Sequence, residues 1–316
     1  MKFPVFDLHC DTSLALLGKN FCECGSLKKN DLHIDLERAG TLPGYAQCFA
    51  CFTTEPNAHM PIDPVQLFER EIATVLREIE KNPEKISLAY NARDVESNLN
   101  KGMMSAILTI EGPAGFGYDP ALLEDLYNLG FRVSTLGWNE NNPLTGSHVI
   151  GGGLTDKGRE YVAEAQRLGM IVDVSHISDE GFWDIMKITQ APVIATHSNS
   201  RAVCDVSRNI TNDMFCAICE TNGVVGLNMY TEFVGQPATL DKACEHILHF
   251  LEMDPEGKHI ALGGDLDGCD TLPDGFAGVQ DYPKLAQCLQ SKGVDDRILQ
   301  NIFWDNAIGV MGRCCI

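Results

Sequence analysis

The chain has 316 residues, and 24 basic against 44 acidic side chains leave a formal charge of −20. That balance argues against a nucleic-acid or anionic-membrane partner, both of which need a positive field, although a small basic pocket can sit inside an acidic shell. With 44% hydrophobic and 22% charged residues the chain is globular, and no apolar run reaches the roughly 18 residues of a membrane span.

In chain order, short apolar runs alternate with longer helical patterns. Strand candidates are 3–9, 45–53, 104–111, 131–137, 170–176, 192–197, 223–230 and 259–265. Several, such as the runs from Met170 to Val174 and from Gly223 to Leu227, are nearly continuous in apolar residues, as parallel strands covered on both faces require. Between them, Asp63 before Pro64 marks a helix start, and Val65, Phe68, Ile72, Val75 and Ile79 then recur at helical spacing. Thr155 and Ser178 open two more helices, which Gly169 and Pro192 stop. Eight strands with intervening helices predict an α/β fold, a (β/α)8 barrel of TIM type. No linker, repeat or low-complexity tract interrupts residues 1–316, which read as a single domain.

Residues 1–7 lack the apolar stretch and cleavage site of a signal peptide, so the chain reads as cytoplasmic and its thirteen cysteines as reduced thiols. The pairs Cys48/Cys51 and Cys216/Cys219 lie much further apart than the about 15–20 residues of a zinc ribbon. Cys48 and Cys51 fall on a strand, pointing to opposite faces, and read as core thiols. Cys314 and Cys315 read as an exposed tail.

Barrel chemistry gathers at the carboxyl ends of the strands. The first candidate strand ends in His9 and Asp11, two apart and therefore on one face if the strand stays extended. An imidazole beside a carboxylate suits Zn²⁺. The third ends in Glu111 after four apolar positions, and a charge leaving a buried strand needs a partner. The fifth ends in His176, the sixth in His197 and the eighth in Asp265, flanked by Gly263 and Gly264, which are expected to leave room for metals and substrate. Asp267 reads as a structural carboxylate of the same turn. Taken singly each is an ordinary strand-end residue; together they predict a metal centre. His33, His59, His246, His249 and His259 have no such context and read as surface or core residues.

These motifs, in this order over residues 5 to 310, resemble the membrane (renal) dipeptidase family, peptidase M19-like, within the metal-dependent hydrolase barrels. The likeness runs through His9 and Asp11, the block from Thr109 to Pro113, the block from Gly169 to His176, Ala191 to Ser198, Ser207-Arg208-Asn209, and Gly263 to Gly268. It implies two Zn²⁺ per chain, one on His9, Asp11 and Glu111 and one on His176 and His197, with Glu111 bridging. It implies further that Asp265 is the acid/base and that Arg208, rather than Arg201 in the same loop, holds the substrate carboxylate. Two such ions share a hydroxide whose pKa falls toward neutrality, and that hydroxide attacks the peptide carbonyl. Where the family's animal members carry a histidine directed at the substrate carbonyl, this chain has Trp138, whose indole N–H donates one hydrogen bond but takes up no proton. His148, in the following loop, is the alternative group there.

The resemblance thus implies a metallo-dipeptidase, a soluble bacterial-type member acting on dipeptides with a free C-terminal carboxylate, L,D-dipeptides included. It also implies a homodimer. A rival on the same dinuclear site is hydrolysis of a lactone, phosphoester or cyclic amide, which shares the metals without needing Arg208. A metal-binding protein without activity is the rival from another class, and the intact ligand set with Asp265 argues against it.

Overall fold

A computed structural model describes residues 1–22, 25–57 and 60–315; His59 lies outside them. The strands are β1 (Val5–Cys10), β2 (Tyr45–Phe52), β3 (Ile86–Leu88), β4 (Met104–Glu111), β5 (Phe131–Thr135), β6 (Thr145–Ser147), β7 (Gly151–Leu154), β8 (Ile171–Asp173), β9 (Val193–Ile194), β10 (Val225–Leu227) and β11 (Ile260–Leu262). Eight of them pair in the order β10-β11-β1-β2-β4-β5-β8-β9, all parallel. The ring closes where Ala195, just past β9, bridges Val225; the Gly226 N–H donates to the Ala195 carbonyl at 2.8 Å. The expected eight-stranded barrel is therefore the fold. A Cβ on Gly226 or Gly263 would overlap the Thr196 carbonyl oxygen, so glycine is what lets the closing strands come this near.

All eight expected strands form, several shorter than their apolar runs. Two features have no counterpart in that pattern. β3 adds to the edge of β4 just before β5 takes it over, Ile86 opposite Met104 and Phe131 opposite Leu108. β6 and β7 form an antiparallel hairpin in the loop after β5. Both are too short to show a period.

The helix Pro64–Lys81 starts as expected, with the Asp63 carboxylate accepting from the Gln66 N–H, but its buried face is set by Leu67, Phe68 and Val75, while Val65 faces solvent. Thr155 and Ser178 cap their helices in the same way, and Gly169 takes the left-handed terminal position.

Two apolar layers hold the barrel. One lies between strands and helices. The other fills the interior with Phe6, Leu8, Ala46, Cys48, Ile107, Val133, Ile171, Ile194, Val224 and Ala261, closed by Trp304, Val310 and Met311. Cys48 belongs to the interior layer and Cys51 to the outer one, both buried as thiols. The tail expectation fails: Cys314 and Cys315 are buried, because the helix Asn306–Cys314 docks across the amino end of the barrel and carries them into that interior layer. With one end plugged, chemistry is confined to the other.

Phe303, in the turn that leads into this helix, is fully buried with its ring 5.3 Å from Phe3 and 6.4 Å from Tyr282. Phe303→Ala is expected to cost about 3–5 kcal/mol, read as a lower denaturant midpoint at unchanged slope.

Candidate metal centre

Six predicted side chains meet at the carboxyl ends of the strands. His9 Nε2 lies 3.5 Å from Asp11 Oδ2, 3.2 Å from Glu111 Oε2 and 3.9 Å from Asp265 Oδ1. The other oxygen of Glu111, Oε1, lies 3.1 Å from His176 Nε2 and 3.9 Å from His197 Nε2. The two latter nitrogens are 2.9 Å apart. Glu111 thus turns one oxygen to each of two imidazole groups. Asp11 reaches the centre by a route other than strand alternation: β1 stops at Cys10 and Asp11 opens the short helix Thr12–Ala15.

Several features fit a divalent cation. His9 Nε2 and Glu111 Oε2 are buried without any hydrogen-bond partner, an arrangement that a bare centre leaves costly. The tautomers agree. Thr196 Oγ1 spends its proton on Asp173 at 2.6 Å, so at 2.7 Å it accepts from His197 Nδ1–H and leaves Nε2 as a free ligand. His176 Nδ1 meets Asn139 Oδ1 at 3.0 Å, with the same outcome. Burial, and then the neighbouring cations led by Arg208 for His176 and His9 for His197, push both imidazoles well below their ordinary pKa, the neutral form a ligand needs. Burial opposes charge on His9 as well, yet the Glu111 and Asp11 carboxylates hold its pKa well above the usual range. Burial, with Glu111 beside it, raises Asp11, and burial pushes Asp265 up to about 6. The cluster carries an excess of negative charge that a cation would neutralise.

The expected room beside Asp265 comes from a different glycine. Gly263 faces the Thr196 carbonyl; a Cβ on Gly268 would instead overlap Asp11 Oδ2 and lie 2.6 Å from Asp265 Oδ1. Asp267 holds the turn, accepting from Thr12 Oγ1 at 2.6 Å and from the His33 N–H at 2.5 Å. His33 therefore has a structural task, since its Nδ1 also accepts from the Asp267 N–H. His246 is buried between the Ser200 N–H and the Val234 carbonyl; His249 pairs with Asn212 and His259 with the Gly223 carbonyl.

Sequence reasoning passed over two buried carboxylates behind the centre. Asp7 accepts from the His9 N–H and the Gly264 N–H, each at 3.0 Å, and from the Tyr282 hydroxyl. Asp173 accepts from the Ser175 N–H at 3.0 Å, the Thr196 N–H at 2.9 Å, and the hydroxyls of Thr135 and Thr196. The available signal was an aspartate inside an apolar run, where a charge is costly unless it is paired.

The two arginines of one loop separate cleanly. Arg201 forms a two-bonded ion pair with Asp179 at the surface. Arg208 is buried, donates to Ser198 Oγ at 2.8 Å and to the His197 carbonyl at 2.9 Å, and leaves Nε without a partner. Among the described residues no carboxylate lies within ion-pair distance of it. Phe233 covers its face at 5.5 Å. A cavity of about 340 Å³ opens on the centre, lined by Glu111, Asp265, Trp138, Asn139, Tyr230 and Phe233 among others. Trp138 stands edge-on to Phe52 as part of that wall. His148 is drawn away from it, hydrogen-bonded to Ser207 and Asn139; burial and the guanidinium groups of Arg208 and Arg201 push its pKa down to about 4.

A parallel barrel with imidazoles and carboxylates converging past its strand ends defines a metal-dependent hydrolase of the TIM-barrel class. Residues 1–314 match the family model described as membrane dipeptidase, peptidase family M19, and the chain belongs to that family of metallo-dipeptidases. It is 34% identical over 235 residues to an uncharacterised dipeptidase of Schizosaccharomyces pombe, a match covering 72% of this chain and 58% of that protein, so the chain spans little more than half of that relative. An uncharacterised protein of Klebsiella pneumoniae is 30% identical over 266 residues, 80% of this chain and 97% of its own. A metallopeptidase of Rhodobacter sphaeroides, solved with a phosphinate mimic of the dipeptide L-Ala-D-Ala, superposes with a TM-score of 0.88 at 27% identity, covering 99% of this chain and all of that one. Among the described residues no helix is long and apolar enough to cross a membrane.

Glu71, on the helix behind the centre, is fully buried, and neither of its oxygens makes a hydrogen bond of ordinary geometry. Burial, then the charges of Asp11 and Glu111, push its carboxyl well above the ordinary range, an effect the Phe52 amide only partly offsets. The folded state therefore keeps a proton that the unfolded chain loses above about pH 4.3, so this group makes stability fall as pH rises through that region. In chelator-treated protein, Glu71→Gln is expected to flatten that fall by at most about 1.4 kcal/mol per pH unit, read from denaturant midpoints as the pH is raised from 5.

Proposed function

We propose that this chain is a zinc-dependent dipeptidase with two metal ions per chain, cleaving dipeptides that end in a free carboxylate, L,D-dipeptides among them. The observation that carries the reading is Glu111, whose two oxygens face His9 at 3.2 Å and His176 at 3.1 Å, the geometry a bridging carboxylate requires. His9, Asp11 and Glu111 would hold one ion, and His176, His197 and Glu111 the other. The phosphinate dipeptide mimic bound by the Rhodobacter relative supports the substrate class. We infer a cytoplasmic, single-domain enzyme that works as a homodimer.

Bound divalent ions supply Lewis acidity to the scissile carbonyl and make water a nucleophile near neutral pH. The remaining work falls to the chain's own groups. Asp265 has Oδ2 held by the Asn228 amide at 3.0 Å and Oδ1 turned to the centre. Oδ1 takes the proton from the attacking water and passes it to the leaving nitrogen. Arg208 has two of its five N–H groups occupied, so three remain for the substrate carboxylate. Because that carboxylate lies one residue past the bond cleaved in a dipeptide, a fixed guanidinium measures peptide length. Trp138, Phe52 and Phe233 shield the site from water.

Two substitutions test these roles. Arg208→Met is expected to weaken kcat/KM for free dipeptides by about 1.5–3 kcal/mol, the worth of a charged hydrogen bond, while C-terminally amidated dipeptides, slow from the start, change little. Equal losses on both would remove Arg208 from carboxylate binding, and brisk turnover of a lactone or phosphoester in place of dipeptides would overturn the activity itself.

Asp265→Asn keeps shape but not basicity. Its kcat should fall about 10²–10⁴-fold with metal content unchanged by elemental analysis. Glu111→Ala, by contrast, should lose both ions and His197→Ala mainly one.

A further inference from the structure

Asn139 follows Trp138 in the loop after β5 and lines the cavity beside Glu111 and Asp265. Its Oδ1 lies 3.0 Å from His176 Nδ1 and 3.0 Å from His148 Nε2. His148 Nδ1 in turn meets Ser207 Oγ at 3.0 Å. An amide seen only by its heavy atoms can face either way, and here the chemistry of the centre decides. His176 presents Nε2 to Glu111 and His197, so its proton sits on Nδ1 and only an acceptor can face it. Oδ1 is therefore the atom toward the imidazoles. A carbonyl oxygen has two lone pairs, and His148 fills the second with its Nε2–H while Ser207 donates to its Nδ1. Every proton in the chain Ser207–His148–Asn139–His176 is then assigned. The Asn139 Nδ2 is left over, and among the described residues it has no hydrogen-bond partner.

We propose that Asn139 is a substrate-contacting hydrogen-bond donor, its amide locked by His176 and His148 so that Nδ2 faces the oxygen of the scissile carbonyl. The inference rests on the dipeptidase reading above. An oriented donor costs no reorganisation as that oxygen gains charge, and the loss of one such donor typically lowers kcat about 10²–10³-fold. The same lock joins the metal centre to the loop of Arg208, since Ser207 precedes it. Substrate carbonyl and substrate carboxylate are thus registered through one set of hydrogen bonds.

The test compares wild type, Asn139→Asp and Asn139→Ala, each loaded with zinc. Metal content, kcat and KM for L-Ala-D-Ala, and calorimetric affinity for its phosphinate mimic are measured. Asn139→Asp retains an acceptor for both imidazoles and loses the donor. It should keep its metals, lose about 10²-fold or more in kcat with a smaller change in KM, and bind the mimic at least tenfold more weakly. Asn139→Ala should lose as much kcat without the added charge, which separates a missing donor from electrostatic repulsion. A loss of activity that tracks lost metal and is restored by added zinc would make Asn139 a holder of His176 and overturn the donor role. So would variants within twofold of wild type in kcat and in affinity for the mimic. A wild type that neither cleaves the dipeptide nor binds the mimic would bring down the dipeptidase reading together with this inference. A wild type that does both, beside indifferent variants, brings down this inference alone.

Discussion

Two buried carboxylates, Asp7 and Asp173, set the geometry on which the centre depends. Asp7 lies within β1 and Asp173 ends β8, and each accepts the N–H of the residue two further on, then an N–H from the neighbouring strand's exit. A parallel ladder cannot satisfy these donors once the strands begin to diverge, and unpaired donors at this depth would be costly. The aspartates supply the missing acceptors and clamp β1 to the segment after β11, and β8 to the segment after β9. His9 follows one clamp and His176 and His197 the other, so the imidazoles are aimed by backbone that cannot fray. Through Thr196 the second clamp also fixes the tautomer of His197. Removing either carboxylate would disturb the aim of the proposed metal-binding imidazoles, none of whose rings it contacts.

The geometry is held against local preference. His176, Asp265 and Asp267 have φ of 69°, 55° and 69°, a left-handed region that residues with a Cβ avoid. The centre also packs Asp11, Glu111 and Asp265 together, with Glu71 behind them, at a depth where Asp11, Asp265 and Glu71 resist ionisation. Strain and crowded charge are both unfavourable for the bare fold. The apolar interior and its C-terminal plug offset them from the opposite end of the barrel. Rigidity is thereby divided: apolar packing at the amino end, hydrogen-bonded clamps at the carboxyl end, and a cation-shaped deficit between them.

The fold was legible because eight buried parallel strands read as eight apolar runs, and period and caps needed no tertiary information. The ligand residues were legible because polar side chains closing apolar runs are conspicuous. What escaped had no local signature. β3 and the β6–β7 hairpin are too short to carry a period. Cys314 and Cys315 looked exposed because nothing near a terminus announces what it packs against. The room beside Asp265 was assigned to the adjacent glycines, whereas Gly268, three residues on, leaves it by folding back over the carboxylates. Asp7 and Asp173 stood in plain view as charges in apolar strands, yet their partners lie up to hundreds of residues away in sequence, so only the closed barrel shows what they do. Asn139 was hidden for a related reason: an asparagine in a loop has many ordinary uses until two imidazoles are seen to share its oxygen.

The anchoring of Arg208 ties stability to the selectivity proposed above. A buried guanidinium would ordinarily be paired with a carboxylate, and that pair would satisfy it permanently. Here its direct partners are neutral, a serine hydroxyl and the carbonyl of His197, so position is fixed while the carboxylates of Asp265, Asp173 and Glu111 act on the charge only from a distance. The carbonyl belongs to the same residue whose imidazole points into the centre, and Ser198 is the next residue along. The separation between the guanidinium and the proposed metal ligand is therefore set by a few covalent bonds and cannot drift as the surface loops move. An ion pair in that place would have made a more stable protein with no use for a substrate carboxylate. On the proposed function, a charge left open at a fixed distance would make the loop selective for short peptides, and the stability given up there would be restored when a ligand of the right length arrives.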